Sequence, residues 1–340
     1  MTIEAKTTAP ATTPVVPAVA NEAVAKFGTL PVAAVSSIFP EFVPAMPLPA
    51  FSAPTAFVPS VRAEHVLPRW IHEVFLPWLG LRTGTPILVT GPTGCGKTSS
   101  IRQAAARLNL PVYECTAHSR LEFNELVGHV TVQDGTMSFQ YGPLSLAMKN
   151  GGLFLINEVD LLDPSTAAGL NSILDGSPLC IPENGGELVK PHKGFFFAAT
   201  ANSNGTGDAT GMYTGVLMQN AAFMDRFIVV DAGYLAEDVE VSLLAKVCPS
   251  MPESIIQLMV KYANIVRAAC GATNTNDTMN KTMSTRTLCQ WVQWTDWFAG
   301  VKDLPNGVTA SYRALEIVFL GACDDSDKTT AKELYQRIFG

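Results

Sequence analysis

The sequence predicts an α/β fold, a parallel sheet flanked by helices, followed by a smaller all-helical domain. Three observations predict it. From residue 66 onward, short apolar runs alternate with helical stretches. The runs at 85–90, 111–115, 152–157, 194–200 and 227–231 are nearly all apolar, as strands covered by helices on both faces are. Residues 91–98 read Gly-Pro-Thr-Gly-Cys-Gly-Lys-Thr, a complete G-x-x-x-x-G-K-[ST] set between the first run and an Ala-rich helical stretch at 99–108. After about residue 236 the strand signals fade, and Trp, Leu, Ala and Val recur at helical spacing.

Taken in order, residues 1–60 form a Pro/Ala-rich arm that holds ten of the 23 prolines. Its first 26 residues read as low-complexity and weakly ordered. Residues 38–59 carry Phe39, Phe42, Phe51 and Phe57 between prolines. That pattern suits either extended docking on a neighbouring subunit or partner, or a solvated linker. The α/β domain occupies 61–235 and the helical domain 236–340. Residues 67–81, with Trp70, Ile71, Val74, Phe75 and Trp78, predict an amphipathic helix leading into the first strand. Two hairpins are expected, at 129–141 turning on Asp134-Gly135 and at 179–192 turning on Asn184-Gly185-Gly186. Trp291, Trp294 and Trp297 predict one packed helical face.

Composition bounds the function. The chain has 340 residues, 47% hydrophobic and 16% charged, with net charge −7 and pI near 5.3. No basic stretch offers a nucleic-acid groove. Seven cysteines, with no C-x-x-C pair, read as reduced thiols of a cytoplasmic protein. No secretory leader and no uninterrupted apolar run of ~18 residues is present, so a soluble protein without membrane contact is expected.

The glycine-rich loop carries the chemistry. Backbone N–H groups of Gly91, Pro92, Thr93, Gly94, Cys95, Gly96, Lys97, Thr98 and Ser99, save that of the proline, are placed to cradle phosphate oxygens at a helix N-terminus. Lys97 is expected to reach the β- and γ-phosphates, and the Thr98 hydroxyl to ligate Mg²⁺. ATP and Mg²⁺ are the cofactors this implies. The second informative run is Gly-Leu-Phe-Leu-Ile-Asn-Glu at 152–158. Phosphate-loop ATPases end such a strand in Asp-Glu; here Asn157 stands in the Asp position. Its amide oxygen can accept from Mg²⁺-bound water but supplies no charge. Glu158 keeps the carboxylate that polarises the attacking water.

The order of these features resembles the AAA+ ATPases, and within them the MoxR-type branch. The likeness runs through Glu125-Leu126-Val127-Gly128, residues 139–144, the Asn157-Glu158 strand, Ala199-Thr200-Ala201-Asn202 and Asp225-Arg226-Phe227. A narrower likeness, to the small AAA+ subunit of aerobic cobaltochelatase (CobS-like), rests on residues 197–215, Met283-Ser284-Thr285-Arg286-Thr287 and the C-terminal 333–340. It covers roughly 65–340; the proline-rich arm and Asn157 depart from it. The resemblance implies a P-loop NTPase fold with a helical lid. It makes Asn202 a sensor for the γ-phosphate, Arg226 an arginine finger serving a neighbouring subunit, and Arg286 a sensor on the lid. It implies a homo-oligomeric ring, a hexamer, and a partner with a von Willebrand A-type domain. Three functions fit: a motor that remodels or activates an unidentified client, the ATPase subunit of a cobalt chelatase, and an ATP-binding scaffold with little turnover.

Overall fold

The computed structural model describes residues 26–43, 46–133, 135–205, 207, 215–270, 279–302, 304 and 307–340. The expectations for residues 1–25, for Asp134 and for 206 and 208–214 lie outside the described residues. Strand β1 (Phe27–Leu30), helix α1 (Val32–Ile38) and β2 (Leu48–Phe51) form a small unit in which the two strands pair antiparallel. This is the aromatic half of the expected arm, and it folds onto the chain's own core. Val35, Phe39, Leu48 and Phe51 are buried, in one cluster with Phe75, Leu76 and Trp78. Phe57 packs against Tyr113 with the rings tilted by 36° and their centroids 4.5 Å apart. Large apolar side chains at this density bury enough surface to hold a proline-rich segment. Pro49 is tolerated in β2 because only one edge of that strand is paired.

A π-turn, Ile71–Phe75, runs into α2 (Leu76–Leu81). The α/β layer follows: β3 (Ile87–Thr90), α3 (Lys97–Arg107), β4 (Val112–Thr116), α4 (Phe123–Val127), the hairpin β5 (Gly128–Gln133)–β6 (Thr136–Tyr141), α5 (Pro143–Asn150) and β7 (Gly152–Asn157). Then come α6 (Pro164–Gly169), α7 (Asn171–Leu174), the hairpin β8 (Leu179–Ile181)–β9 (Glu187–Val189), β10 (Phe195–Ala201), α8 (Ala221–Met224) and β11 (Ile228–Asp231). Five strands form one parallel sheet in the order β11-β3-β10-β7-β4. Alternate residues serve opposite faces. Ile87, Val89, Leu153 and Leu155 pack with Ile101 and Ala105 of α3, whereas Leu88, Phe154, Ile156 and Phe197 pack with Leu144 and Met148 of α5. The edge strand β11 departs from the expected two-sided burial: Ile228 and Val229 are exposed. Its apolar run reads like a central strand, but at the sheet edge Ile228 and Val229, which point to opposite faces, are left partly uncovered, while Val230 is buried.

The helices α9 (Glu237–Val247), α10 (Glu253–Ala269), α11 (Thr285–Ala299), α12 (Ala310–Val318) and α13 (Asp325–Phe339) enclose a separate core around Tyr262 and Trp291. The tryptophan spacing corrects one expectation. Trp291 is fully buried, but Trp294 is 42% and Trp297 62% exposed. Each three-residue step on a helix lags the face by about 60°, so only the first of the three points inward. Fully buried Glu240 anchors α11: Arg267 donates to both its oxygens at 2.7 and 2.8 Å, and Thr285 Oγ1 donates at 2.7 Å. Among the described residues, no helix is long and apolar enough to cross a membrane.

Candidate nucleotide and metal site

The loop between β3 and α3 is glycine-rich for steric reasons. Gly91, Gly94 and Gly96 have φ of +146°, +68° and +98°, which side chains resist. A Cβ on Gly91 would stand 2.1 Å from the Ala232 carbonyl oxygen, and one on Gly94 2.6 Å from Ser284 Oγ. The loop is thus wedged between the chain after β11 and the N-terminus of α11. Buried Lys97 curls back into it: Nζ donates to the carbonyls of Gly91 (2.6 Å) and Pro92 (2.9 Å) and to Asn202 Oδ1 (3.1 Å). Burial lowers the Lys97 pKa, while Cys95, Asp160 and Glu158 act in the opposite sense. The Cys95 thiol is buried behind the loop, donates to the Ala232 carbonyl at 3.1 Å, and has its pKa raised by that burial. It packs there as a neutral thiol.

At the end of β7, Asn157 is 7% exposed. Its Oδ1 accepts from Thr98 Oγ1 at 2.6 Å and from Thr200 Oγ1 at 3.3 Å. Its Nδ2 donates to Glu114 Oε1 at 2.7 Å and, more weakly, to the Cys115 carbonyl at 3.4 Å. Glu158 leaves the strand in the left-handed region, φ +55°, a conformation costing about 1–2 kcal/mol for a residue with a Cβ. That turn leaves the Glu158 side chain at the cleft wall, while its N–H donates to Thr200 Oγ1 at 3.3 Å. Two residues on, Asp160 is 1% exposed. Its Oδ2 accepts from the backbone N–H groups of Asn202 (2.9 Å) and Ser203 (3.0 Å) and from Ser203 Oγ (3.3 Å). Its Oδ1 has no hydrogen-bond partner among the described residues.

These residues line one cleft of about 350 Å³ at the C-terminal ends of the central strands. Thr93, Gly94, Gly96, Lys97, Thr98, Ser99, Asn157, Glu158, Asn202 and Arg286 all face it. Gly91, Pro92 and Cys95 form the back of the loop and do not line it. Arg226 lies elsewhere: Nε and Nη2 grip the two oxygens of Asp175 at 2.8 and 3.0 Å, and Nη1 donates to the Ala222 carbonyl. Sequence reasoning missed Thr116, Thr200, Arg102 and Glu114, which reach the site from neighbouring elements, and Asp160; only Asp160, two residues past Glu158, had a local signal. A second cleft of about 460 Å³ shares Gly94, Gly96, Ser99 and Arg286 with the first and adds apolar walls from Val66, Leu235, Leu243 and Val247. His65 in this wall has its pKa lowered to about 4 by burial, with Arg107 and Arg62 adding to the effect. It is neutral at pH 7.

Inward-turned amides at a helix start beside Lys97, Arg102 and Arg286 make a polyanion site. The hydroxyls of Thr98 and Thr200 and the amide oxygen of Asn157 are hard donors that fit Mg²⁺. Among the described residues, no group of three His, Cys, Asp or Glu could hold a metal, so any ion here would rely on phosphate oxygens and water for its remaining ligands.

Residues 86–227 match the family model described as AAA domain (dynein-related subfamily). The aerobic cobaltochelatase subunit CobS of Sinorhizobium sp is 30% identical over 302 residues, 86% of this chain and 86% of CobS. The chain belongs to the AAA+ family, in its MoxR-type branch. The denitrification regulatory protein NirQ of Stutzerimonas stutzeri is 38% identical to this AAA+ chain over 120 residues, 35% of the chain and 43% of NirQ. The uncharacterized protein YojN of Bacillus subtilis is 27% identical over 199 residues, 57% of the chain and 63% of YojN. A Thermotoga maritima RuvB structure superposes with TM-score 0.45 at 13% identity, over 72% of the AAA+ chain and 64% of RuvB.

Proposed function

We propose that this AAA+ chain hydrolyses Mg-ATP in a homo-oligomeric ring, a hexamer, and applies the free energy to remodelling or activating a partner protein through a von Willebrand A-type adaptor. The observation that carries this reading is the convergence of Lys97, Thr98, Asn157, Glu158 and Asn202 on one cleft. The loop amides and Lys97 hold the β- and γ-phosphates, and the apolar second cleft takes the base. Thr98 would hold Mg²⁺ through its hydroxyl and Asn157 through a water molecule, and a bound ion would offset phosphate charge. Glu158 orients the attacking water and takes up its proton. The Asn202 amide positions that water against the γ-phosphate. Arg286 closes the cleft from α11, and Arg226 completes the site of the next subunit.

The two hairpins suit contact with a client or adaptor. Val132, Met137 and Leu188 are exposed on them. Their bases are joined where Tyr141 and Lys149 donate to Glu187 at 2.6 and 2.8 Å, so they present one surface.

A second reading, the ATPase subunit of a cobalt chelatase, is favoured by the likeness to CobS over most of both chains; it expects activity only beside a tetrapyrrole-binding subunit. Asn157 favours a third, a nucleotide-organised scaffold with little turnover. Phosphate release by the purified chain with Mg-ATP, with mass measured by light scattering, separates them. Steady turnover in a ring, abolished by Glu158→Gln, is the expected result. Turnover only beside a tetrapyrrole-binding subunit would favour the chelatase, and tight nucleotide binding with negligible phosphate release in every combination would leave the scaffold.

A further inference from the structure

The Asn157 amide stands where a carboxylate is expected, and its environment explains how. In the sheet register Thr116 pairs with Asn157 and Glu114 with Leu155, so Glu114 and Asn157 project from the same face of adjacent strands. Glu114 Oε1 lies 2.7 Å from Asn157 Nδ2. Its other oxygen, Oε2, lies 3.6 Å from Nε of Arg102, which lines the cleft from α3. A carboxylate and the Cys115 carbonyl can only accept. The Asn157 side chain therefore has one allowed orientation, with Oδ1 turned to the Thr98 and Thr200 hydroxyls.

We propose that Glu114 is a positioning residue for the divalent cation, acting through Asn157. It fixes the amide oxygen towards Thr98 and returns, one side chain further out, the negative charge that Asn157 lacks. The pair Glu114–Asn157 divides between two residues what one aspartate does alone: the ligand-facing oxygen comes from Asn157 and the charge from Glu114. Arg102 holds the second oxygen and keeps the carboxylate in place. This inference rests on the Mg-nucleotide reading of the cleft.

The test uses the full chain and a fluorescent ATP analogue, titrated in EDTA and then against Mg²⁺, with Mn²⁺ binding in the presence of ADP followed by electron paramagnetic resonance. In Glu114→Gln, a Gln amide can donate as well as accept, so the orientation and the charge are both lost. Its half-saturating Mg²⁺ and Mn²⁺ concentrations should rise by about tenfold or more, with nucleotide affinity in EDTA no weaker than the parent's, since Arg102 loses a competing carboxylate. The swap Glu114→Gln with Asn157→Asp restores one charge and one amide, and should bring half-saturation back to within about threefold of the parent. Unchanged metal dependence in Glu114→Gln would overturn the proposal and leave Glu114 as a partner of Arg102 only. A swap as impaired as Glu114→Gln would overturn it as well. A parent chain that binds the analogue but shows no metal dependence would also overturn it, leaving the nucleotide site intact. No analogue binding at all would overturn the nucleotide reading and the proposal together.

Discussion

Replacing Asp160 by Ala should uncouple the end of β10 from the end of β7. Asp160 sits 1% exposed, and its Oδ2 takes the N–H groups of Asn202 and Ser203 at 2.9 and 3.0 Å. Truncation strands both donors in a closed space at about 2 kcal/mol each. About 1 kcal/mol is regained, because removing the carboxylate also removes the desolvated Oδ1. The net expectation is a loss of about 3 kcal/mol in unfolding free energy. Asn202 also loses its anchor, and with the role proposed for it above a misplacement near 1 Å should cost on the order of 100-fold in turnover. Lys97 still holds the loop carbonyls, so the nucleotide KM should stay within about threefold of the parent if turnover alone senses the displacement. Asp160→Asn keeps one acceptor oxygen for the two N–H groups and should lose less stability than Asp160→Ala. Urea denaturation followed by circular dichroism, with steady-state phosphate release on the same samples, reads both quantities. If Asp160→Ala keeps its urea midpoint and its turnover, the coupling argument is wrong.

Arg226→Ala should shift the urea midpoint little, since the Asp175 pair is only partly buried, with Asp175 in solvent, yet lower ring phosphate release by about 10³-fold. Mixing it with Glu158→Gln should recover part of the turnover, because an intact Glu158 meets an intact Arg226 wherever the two variants adjoin in the right order; mixed rings as inactive as either variant would refute the finger. The pH dependence of stability should carry a His65 signature. Its folded pKa is lowered to about 4 from an unfolded value near 6.5, so between those values the unfolded chain takes up a proton that the folded chain does not. Stability is fully present above about pH 6.5 and falls as pH drops towards 4, by about 2 kcal/mol after allowing for the ring's partial exposure. Urea midpoints of His65→Gln should fall less steeply over that window than those of the parent, and equal slopes would sink the assignment.

Local pattern alone carried the strand runs, the loop at 91–98, the Glu158 strand end and the change to helices after residue 236. Each of these is written in a few consecutive residues, through apolar runs, glycines that escape Cβ clashes and a lysine at a helix start. The folding of residues 27–43 and 46–51 onto the core was hidden, because prolines signal an arm whereas the burial of Phe39 and Phe51 depends on a surface supplied by α2 and β3. The exposed face of β11 and the outward Trp294 and Trp297 were hidden likewise; what covers an apolar side chain is a property of its neighbours in space. The partners that define the site lie far apart in the chain: Glu114 meets Asn157 across 43 positions and Asp160 meets Asn202 across 42. Those contacts exist because β7 lies between β4 and β10 in the sheet. Strand order is decided by how helices pack on both faces, and no single strand's residues state which strand will lie beside it.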